Sequence, residues 1–334
     1  MIISRTPYRI SFFGGGTDYP DWYLQQGGAV LSTSIDKYCY LICRFLPPFF
    51  EVRHRIVWSH IETVNTISEV LHPAVREGLH YLGYDDSLGI EIQHQGDLPA
   101  RSGIGSSSSF SVGLINGLLA LKNESIDAHG LALKAIELEQ DILKESVGSQ
   151  DQMAAAHGGL NVIRFCEDGS ISAEPVDISQ ARIAELESHL MLIYAGTSRL
   201  ASEVASRVTA NFPNKTAALT RMRQMVDEGT SLLQGDGSLD GFGELLHEGW
   251  TLKRSLAEGV TTSQIDEIYE AARSQGAIGG KLLGAGGGGF MLFFVPPEKQ
   301  DQVRQALDRY LSVPFSFEHT GSTIIYNDRG ERKP

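Results

Sequence analysis

The chain contains little cysteine, no long apolar run and fewer basic than acidic side chains. Three cysteines among 334 residues, Cys39, Cys43 and Cys166, favour reduced thiols over a disulfide framework. No apolar stretch approaches the roughly 20 residues of a membrane-spanning helix, and the first residues follow a strand pattern rather than that of a signal peptide. These absences predict a cytoplasmic protein that has no membrane partner.

The charge balance bears on the ligands that the protein can attract. Acidic side chains number 41 and basic side chains 28, which gives a net charge of -13 at pH 7. A field of this sign repels polyanions, so we expect no nucleic acid partner. Any phosphate group must then be held by local groups. The length of the chain allows two domains with separate cores.

Several common catalytic and phosphate-binding motifs are missing. The only Gly-Lys pair, Gly280-Lys281, is followed by leucine and lacks the first glycine of a Walker A loop. Gly284, Gly286 and Gly289 match G-x-G-x-x-G, but they precede a strand-like run instead of following one. There is no G-x-S-x-G elbow or H-E-x-x-H helix. Serine hydrolases, zinc hydrolases and dinucleotide-binding folds are therefore not expected.

A glycine-serine segment, LPARSGIGSSSSF at 98–110, stands directly before an apolar helical pattern. Glycine permits positive φ and a close approach of the backbone to a ligand. The first N–H groups of the following helix have no internal partner, and the helix dipole attracts anions to that end. An ordinary serine cap is the alternative, but one cap needs only one serine. We therefore predict a phosphate-binding segment formed by Gly103, Ile104, Gly105, Ser106, Ser107, Ser108 and Ser109.

The order of predicted elements indicates an α+β protein of two domains. In the first half, strand patterns occupy 2–13, 29–45, 91–95 and 160–165, and a β-hairpin pattern occupies 51–60. Helical patterns occupy 68–82, the segment after Ser106, and 128–144 with Asp127 as its cap. The second half begins with a strand at 191–195 and continues with four helical stretches between 198 and 275. It ends with a strand at 290–295, a helix at 298–311 and a strand at 322–326. Polar residues, glycine and proline collect at 166–180, where we place the domain boundary.

Two further segments carry polar residues beside glycines. In TPYRISFFGGGTDYP, strand alternation places Arg9 and Ser11 on one face, ahead of three glycines and Asp18. This pattern favours a backbone that lines a polar ligand, and a hairpin with a surface ion pair is the alternative. The segment from Gly284 to Gly289 is too glycine-rich for a regular element, and contact with a ligand would explain it.

Two acidic residues lie on predicted helices. Glu139 falls on or beside the apolar face of the helix at 128–144, where it is either an edge residue reaching water or a ligand for a cation such as Mg²⁺. Asp151 falls in the first turn of a short helix that Ser149 can cap, with Gln152 as the capping-box partner. An aspartate there is favourable to the helix dipole, so the residues alone favour a structural role.

Together these segments resemble the three motifs of the GHMP kinases, in order: TPYRISFFGGGTDY, LPARSGIGSSSSF and KLLGAGGGGF. The resemblance implies a two-domain α+β fold with the active site between the domains. Residues 1–175 would form a mixed βα domain with the phosphate loop, and residues 176–334 a ferredoxin-like α/β sandwich. ATP and Mg²⁺ are the implied cosubstrate and metal.

The resemblance also implies roles for single residues. The serine loop would wrap the ATP phosphates, Ser107 and Glu139 would hold Mg²⁺, and Asp151 would be the base that faces the acceptor hydroxyl. Arg9 would lie near Asp151 and the transferred phosphoryl group. The other residues implied to contact substrate are Ser11, Gly15, Gly16, Asp18, Gly286, Gly287 and Gly288.

The FGGGTDYP variant of the first motif is most similar to that of the sugar 1-kinases that act on D-glycero-D-manno-heptose 7-phosphate in nucleotide-activated heptose biosynthesis. Gly15 and Gly16 replace a Glu-His pair of galactokinases, which implies a larger pocket. A phosphorylated acceptor needs local positive charge, and Arg199 is the preferred candidate over Lys37 and Arg101. An unphosphorylated acceptor such as fucose or another hexose remains an alternative, as does a non-catalytic sugar sensor. A homodimer is compatible with the resemblance.

Overall fold

The computed structural model describes residues 1–196 and 201–328, without the side chains of residues 201 and 202. The strands in these ranges are β1 (Ile2–Phe13), β2 (Gly28–Leu46), β3 (His54–Val57), β4 (Ile61–Val64), β5 (Gly89–Gly96), β6 (Leu160–Phe165), β7 (Ile171–Pro175), β8 (Leu190–Tyr194), β9 (Gly279–Leu282), β10 (Phe290–Phe294), β11 (Leu311–Val313), β12 (Phe317–Glu318) and β13 (Thr323–Asn327). The α-helices are α1 (Pro20–Gln26), α2 (Pro73–Tyr81), α3 (Ser106–Leu121), α4 (Ala128–Ile136), α5 (Gln150–His157), α6 (Gln180–Ser188), α7 (Ala201–Ala210), α8 (Thr216–Gln234), α9 (Asp240–Arg254), α10 (Ser263–Ser274) and α11 (Gln300–Ala306).

The first sheet is organised around the long strand β2. One edge of β2 pairs antiparallel with β1. On its other edge, residues Gly28 to Thr33 pair with β6, and residues Cys39 to Leu46 pair with β5. The sheet extends through β5 to β3 and the edge strand β4, and β3 and β5 form its parallel pair. The first half of β2 therefore joins β6 and β7 to the sheet, and its second half joins β5, β3 and β4 to it.

Helix α3 packs against β1 and β2 and is buried on nearly all sides. Gly113 and Gly117 face β1 at short range, because a Cβ on Gly113 would lie 2.8 Å from the Thr6 Oγ1. The small residues let the helix approach the sheet closely. As a result, the beginning of α3 is fixed directly beside the middle of β1, where the Ser109 hydroxyl donates to the Pro7 carbonyl and the Arg9 N–H donates to the Ile104 carbonyl.

The second sheet has the strand order β11-β8-β10-β9, and all of its neighbours are antiparallel. Helices α7, α8, α9 and α10 connect β8 to β9, and α11 connects β10 to β11. This is the order of a ferredoxin-like α/β sandwich, and the four helical stretches predicted in this part of the chain are present.

Several predicted element boundaries need correction. The hairpin predicted at 51–60 is present but lies further along the chain, with β3 at His54–Val57 and β4 at Ile61–Val64. The α-helix predicted at 128–144 ends at Ile136. Residues Glu137–Ile142 continue as a π-helical segment, a form common at functional sites. The last helix ends at Ala306, and β11 occupies the end of the range predicted as helical.

The two domains do not separate at residue 175. Strand β12 pairs with β2, and β13 pairs with β1, so the end of the described chain returns to the first sheet. A second domain at 176–334 therefore contains strands that belong to the first domain structurally. No helix in residues 1–196 and 201–328 is both long and apolar enough to span a membrane.

Candidate active site

A cleft of about 760 Å³ lies between the two sheets. Its walls come from the end of β1 and the following glycines, the phosphate loop, the segment before α5, and helices α7 and α9 with the glycine-rich loop after β9. Residues predicted to form the site that line it are Arg9, Ser11, Gly15, Gly16, Asp18, Ser106, Ser107 and Asp151. The fold therefore brings together residues that are more than 140 positions apart in the sequence.

Arg9 and Asp151 form a bidentate ion pair inside this cleft. The Arg9 Nε and Nη2 donate to the two Asp151 carboxylate oxygens, each at 2.7 Å. The Arg9 Nη1 donates to the carbonyl of Gly103 in the phosphate loop, also at 2.7 Å. Arg9 is buried, whereas about a quarter of the Asp151 side chain is exposed to the cleft. The two oxygens of Asp151 are therefore held in a fixed plane that faces the open part of the site.

Asp18 is buried and does not pair with Arg9, so the surface ion pair of the alternative hairpin is not formed. Its Oδ1 accepts from the Gly16 N–H and its Oδ2 accepts from the Gln150 Nε2, both at 2.8 Å. Gly148 allows this packing, because a Cβ there would lie 1.9 Å from the Asp18 Oδ2. Burial, together with the nearby Asp151, raises the pKa of Asp18.

The four consecutive serines have different environments. Ser106 and Ser107 line the cleft, and the hydroxyls of Ser108 and Ser109 are buried, where they donate to Glu139 at 2.9 Å and to the Pro7 carbonyl at 2.8 Å. The preceding Gly105 has φ 74° and gives α3 no side-chain cap. The first N–H groups of α3 therefore point toward the cleft end of the helix, as expected for an anion site. Ile104, Ser108 and Ser109 can contact phosphate only through their backbone.

Glu139 is fully buried in the π-helical segment. Its Oε2 accepts from Ser108 at 2.9 Å and from the Gln152 Nε2, while its Oε1 has no hydrogen-bond partner among the described residues. Burial raises its pKa to about 7, against the opposing effect of the neighbouring polar side chains of Ser111, Ser108 and Gln152. Ser149 stands at the N-cap of α5 without capping it through its side chain, and Gln152 donates to Glu139, so the predicted capping box is absent. An unpaired carboxylate oxygen at this depth favours a cation ligand.

The glycine-rich loop after β9 contacts the phosphate loop through its backbone. A Cβ on Gly284, where φ is +70°, would lie 2.4 Å from the Gly103 Cα. A Cβ on Gly289 would lie 2.4 Å from the Ser102 carbonyl. Gly284 and Ala285 line the cleft, in place of the predicted Gly286, Gly287 and Gly288; the N–H of Gly287 instead donates to the Val260 carbonyl.

We expect Gly284→Ala to raise the KM for ATP at least about tenfold, because the left-handed backbone and the contact with Gly103 together impose roughly 1–3 kcal/mol of strain on the phosphate loop. The control is Gly237→Ala, where a Cβ would meet no atom within 4 Å. Steady-state kinetics with varied ATP measure the effect. An unchanged KM in a folded Gly284→Ala protein would show that the two loops need not touch.

The predicted phosphate-binding cations differ in position. Arg101 lines the cleft, next to Ser106, whose Oγ accepts from the Arg101 N–H at 3.2 Å. Lys37, in the middle of β2, does not line it and instead donates to the carboxylate of its neighbour Asp36 at 2.8 Å. Arg199 lies outside the described residues.

Sequence reasoning missed two lysines in the cleft, Lys253 on α9 and Lys281 on β9. The Lys253 Nζ donates to the carbonyls of Leu282 and Gly284, and the Lys281 Nζ donates to the Phe12 carbonyl at 2.7 Å. Lys281 was considered only as part of a failed Walker motif. A lysine inside an otherwise apolar strand next to glycines is the signal that could have identified it.

Two family models match the chain and together cover more than half of it: the GHMP kinases N terminal domain at residues 65–159 and the GHMP kinases C terminal domain at 230–313. With the ferredoxin-like second sheet and the cleft between the sheets, this establishes that the chain belongs to the GHMP kinases. It is accordingly a phosphotransferase whose acceptor is a hydroxyl group.

Individual relatives are consistent with this. The chain is 28% identical to a D-glycero-alpha-D-manno-heptose 7-phosphate kinase of Campylobacter jejuni, over 96% of both proteins. It is 27% identical to the bifunctional fucokinase/GDP-fucose pyrophosphorylase of Arabidopsis thaliana, over 91% of this chain and 31% of that protein. The fold is similar to the crystal structure of a D-glycero-D-manno-heptose 1-phosphate kinase from Bacteroides thetaiotaomicron, with a TM-score of 0.79 at 23% identity, covering 98% of this chain and all of the other.

Proposed function

We propose that the protein is an ATP-dependent sugar 1-kinase that transfers the γ-phosphoryl group to the anomeric hydroxyl of D-glycero-D-manno-heptose 7-phosphate and so forms the 1,7-bisphosphate. The observation that carries this proposal is the position of the Arg9–Asp151 pair. It lies between the phosphate loop, which Arg9 contacts at Gly103, and the polar pocket around Asp18 and Gln150. A reacting hydroxyl at Asp151 would thus face the terminal phosphate of ATP.

In this mechanism Asp151 orients the acceptor hydroxyl and takes its proton. Each oxygen of Asp151 uses one lone pair toward Arg9 and keeps another for the hydroxyl. The hydroxyl oxygen forms a bond to the γ-phosphorus, the bond from that phosphorus to the bridging oxygen breaks, and ADP leaves with the electron pair. Because phosphoryl transfer passes through a loose transition state, positioning and neutralisation of charge supply most of the catalysis. Arg9 contributes to both.

The buried carboxylate of Glu139 fits Mg²⁺ bound together with nucleotide phosphates. Its unpaired Oε1 offers one oxygen ligand, and the exposed Ser107 hydroxyl in the cleft is the second residue that we propose. Within the described part of the chain, no three His, Cys, Asp or Glu side chains cluster as a metal site. Magnesium sites of kinases commonly use one or two carboxylates plus substrate phosphates. Bound there, Mg²⁺ would neutralise negative charge on the ATP phosphates.

The acceptor pocket supports a polyhydroxylated substrate. The Ser11 Oγ and the Gln150 Oε1 are buried and have no hydrogen-bond partner among the described residues. Both side chains line the cleft on either side of Gly15, where an added Cβ would lie 3.7 Å from each of them. These atoms can pair with sugar hydroxyls. The absence of a side chain at Gly15 leaves room for an acceptor longer than a hexose.

A neutral sugar acceptor such as fucose is the second candidate, and the similarity to the plant fucokinase supports it. The two candidates are separated by measuring ADP release with heptose 7-phosphate, heptose, fucose and galactose at equal ATP. We expect kcat/KM for heptose 7-phosphate to exceed that for each neutral sugar by at least about 100-fold, since a matched charged group typically contributes several kcal/mol. A neutral sugar as best substrate would support the fucokinase-like alternative. No turnover with any sugar would contradict both.

A further inference from the structure

Lys253 and Lys281 place two amines next to each other in the cleft without a carboxylate partner. Lys281 is 7% exposed, and its hydrogen bond goes to a neutral carbonyl, as do both hydrogen bonds of Lys253. Among residues 1–196 and 201–328, no carboxylate oxygen lies within 4.0 Å of either amine. Buried cations are normally paired, because an unpaired one loses its hydration without compensation. Lys281 is buried and Lys253 is half-buried, so the cleft disfavours the charged form of these amines until an anion binds beside them.

The positions of the amines identify the side of the cleft to which that anion belongs. Both amines line the same cleft as Ser11 and Asp18, and the Lys281 Nζ donates to the carbonyl of Phe12, the residue after Ser11, so the pair lies beside the acceptor pocket. Burial and Arg9 lower the pKa of Lys253 to about 7, with Asp18 opposing, and burial together with Lys253 and Arg9 lowers that of Lys281 well below its usual value. In contrast, Arg101 is adjacent to the phosphate loop at Ser106. The chain thus offers different cations for the nucleotide and for the acceptor.

Both amines keep donors for a ligand. A protonated lysine has three N–H groups. Lys281 uses one of them on the Phe12 carbonyl, and Lys253 uses two on the carbonyls of Leu282 and Gly284. Three N–H groups from two residues therefore remain, and these can reach an oxyanion in the cleft that both residues line.

We propose that Lys253 and Lys281 form the subsite for the phosphate group that the acceptor sugar already carries. This inference rests on the sugar kinase function proposed above and adds to it the residues that select a phosphorylated over a neutral sugar. The two amines also contact loops of the active site. Lys281 donates to the Phe12 carbonyl, just before the three glycines of the first motif, and Lys253 donates to the Gly284 carbonyl in the glycine-rich loop.

The test compares acceptors with and without the phosphate, using heptose 7-phosphate against heptose, and mannose 6-phosphate against mannose. The variants are Lys253→Met and Lys281→Met. Lys299→Met, which changes an exposed lysine between β10 and α11 that does not line the cleft, is the control that matches the change in net charge. We expect each cleft variant to lose about 10- to 100-fold in kcat/KM toward the phosphorylated sugar, the value of a charged hydrogen bond, and less than about threefold toward the neutral one.

Equal losses with both kinds of acceptor would overturn the proposal, because they would indicate a contact with the transferred phosphoryl group or a structural role. A wild-type preference for neutral sugars would overturn it too, while leaving the sugar kinase function intact. Because Lys281→Met leaves the Phe12 carbonyl without its donor, thermal unfolding accompanies the kinetics. Lys253→Arg and Lys281→Arg retain the charge and should recover part of the preference for the phosphorylated over the neutral sugar. If these variants recovered thermal stability but not that preference, the proposed phosphate subsite would be contradicted.

Discussion

Replacing Asp151 by asparagine should lower kcat about 10³-fold, within the 10²- to 10⁴-fold range typical of a general base, and should leave the KM for ATP within about threefold. Asparagine keeps the shape of the side chain but cannot accept the hydroxyl proton. It also replaces one oxygen of the bidentate pair with an amide that repels the Arg9 N–H groups. The measurement is ADP release at saturating ATP and acceptor.

The control is Asp236→Asn, an exposed residue between α8 and α9. It removes the same charge at a distance from the cleft, so its kcat should match that of the parent protein. Circular dichroism and thermal unfolding establish that Asp151→Asn is folded. Near-parental turnover of a folded Asp151→Asn protein would remove Asp151 as the base and leave the Arg9–Asp151 pair a purely structural feature.

The second large effect is expected for a substitution of Glu139, which should weaken the use of Mg²⁺ without lowering the stability of the fold. We expect Glu139→Gln to raise the Mg²⁺ concentration for half-maximal activity well over tenfold, because losing even an outer-shell contact of a metal costs about 10- to 100-fold. The melting temperature at pH 8 without Mg²⁺ should not fall. The folded pKa of about 7 lies above the ordinary glutamate value of 4.5, so ionised Glu139 destabilises the fold by about 3 kcal/mol, and glutamine removes this cost.

The pH dependence follows from the same shift. Because the folded pKa is raised, the contribution of Glu139 to stability falls as the pH rises from about 4.5 to about 7 and is constant above that. Mg²⁺ needs the ionised carboxylate, so its half-saturation concentration should increase about tenfold for each pH unit below 7 and be constant above 7. Glu137→Gln, an exposed change in the same π-helical segment, is the control. If Glu139→Gln instead lowered the melting temperature and left the Mg²⁺ dependence unchanged, Glu139 would be a structural residue.

The longer strands and most helices could be predicted because their hydrophobic periods are local, whereas the short elements β7, β9, β11, β12, α1 and α6 were not predicted. β6 was predicted without error at both ends, and Arg9 and Ser11 lie together in the cleft, on the opposite face of β1 from Tyr8 and Ile10, as alternation requires. Local patterns fail where the backbone follows tertiary contacts. The π-helical segment at Glu137–Ile142 has an ordinary helical sequence, and its form depends on packing around Glu139.

The site was predictable in its motifs but not in its pairings. Arg9 and Asp18 are close in sequence, yet in the fold the Arg9 guanidinium pairs with Asp151, 142 residues away. Which of four adjacent serines would face Glu139 also depended on the helix rotation set by the core. Lys253 and Lys281 carry no motif at all. Their role can be inferred only from the three-dimensional structure, in which α9, β9 and β1 are in contact.

The return of β12 and β13 to the first sheet makes the second sheet an insertion that is joined to the first at two places, 176–189 and 314–316. The two connections act together with a hydrophobic core that both sheets share, in which Phe12 of β1 packs against Phe242 of α9. The two walls of the cleft are therefore held together more firmly than a single linker would hold them. The same topology delays assembly during synthesis, since β13, which flanks the Arg9-bearing β1, is made only after every strand of the second sheet.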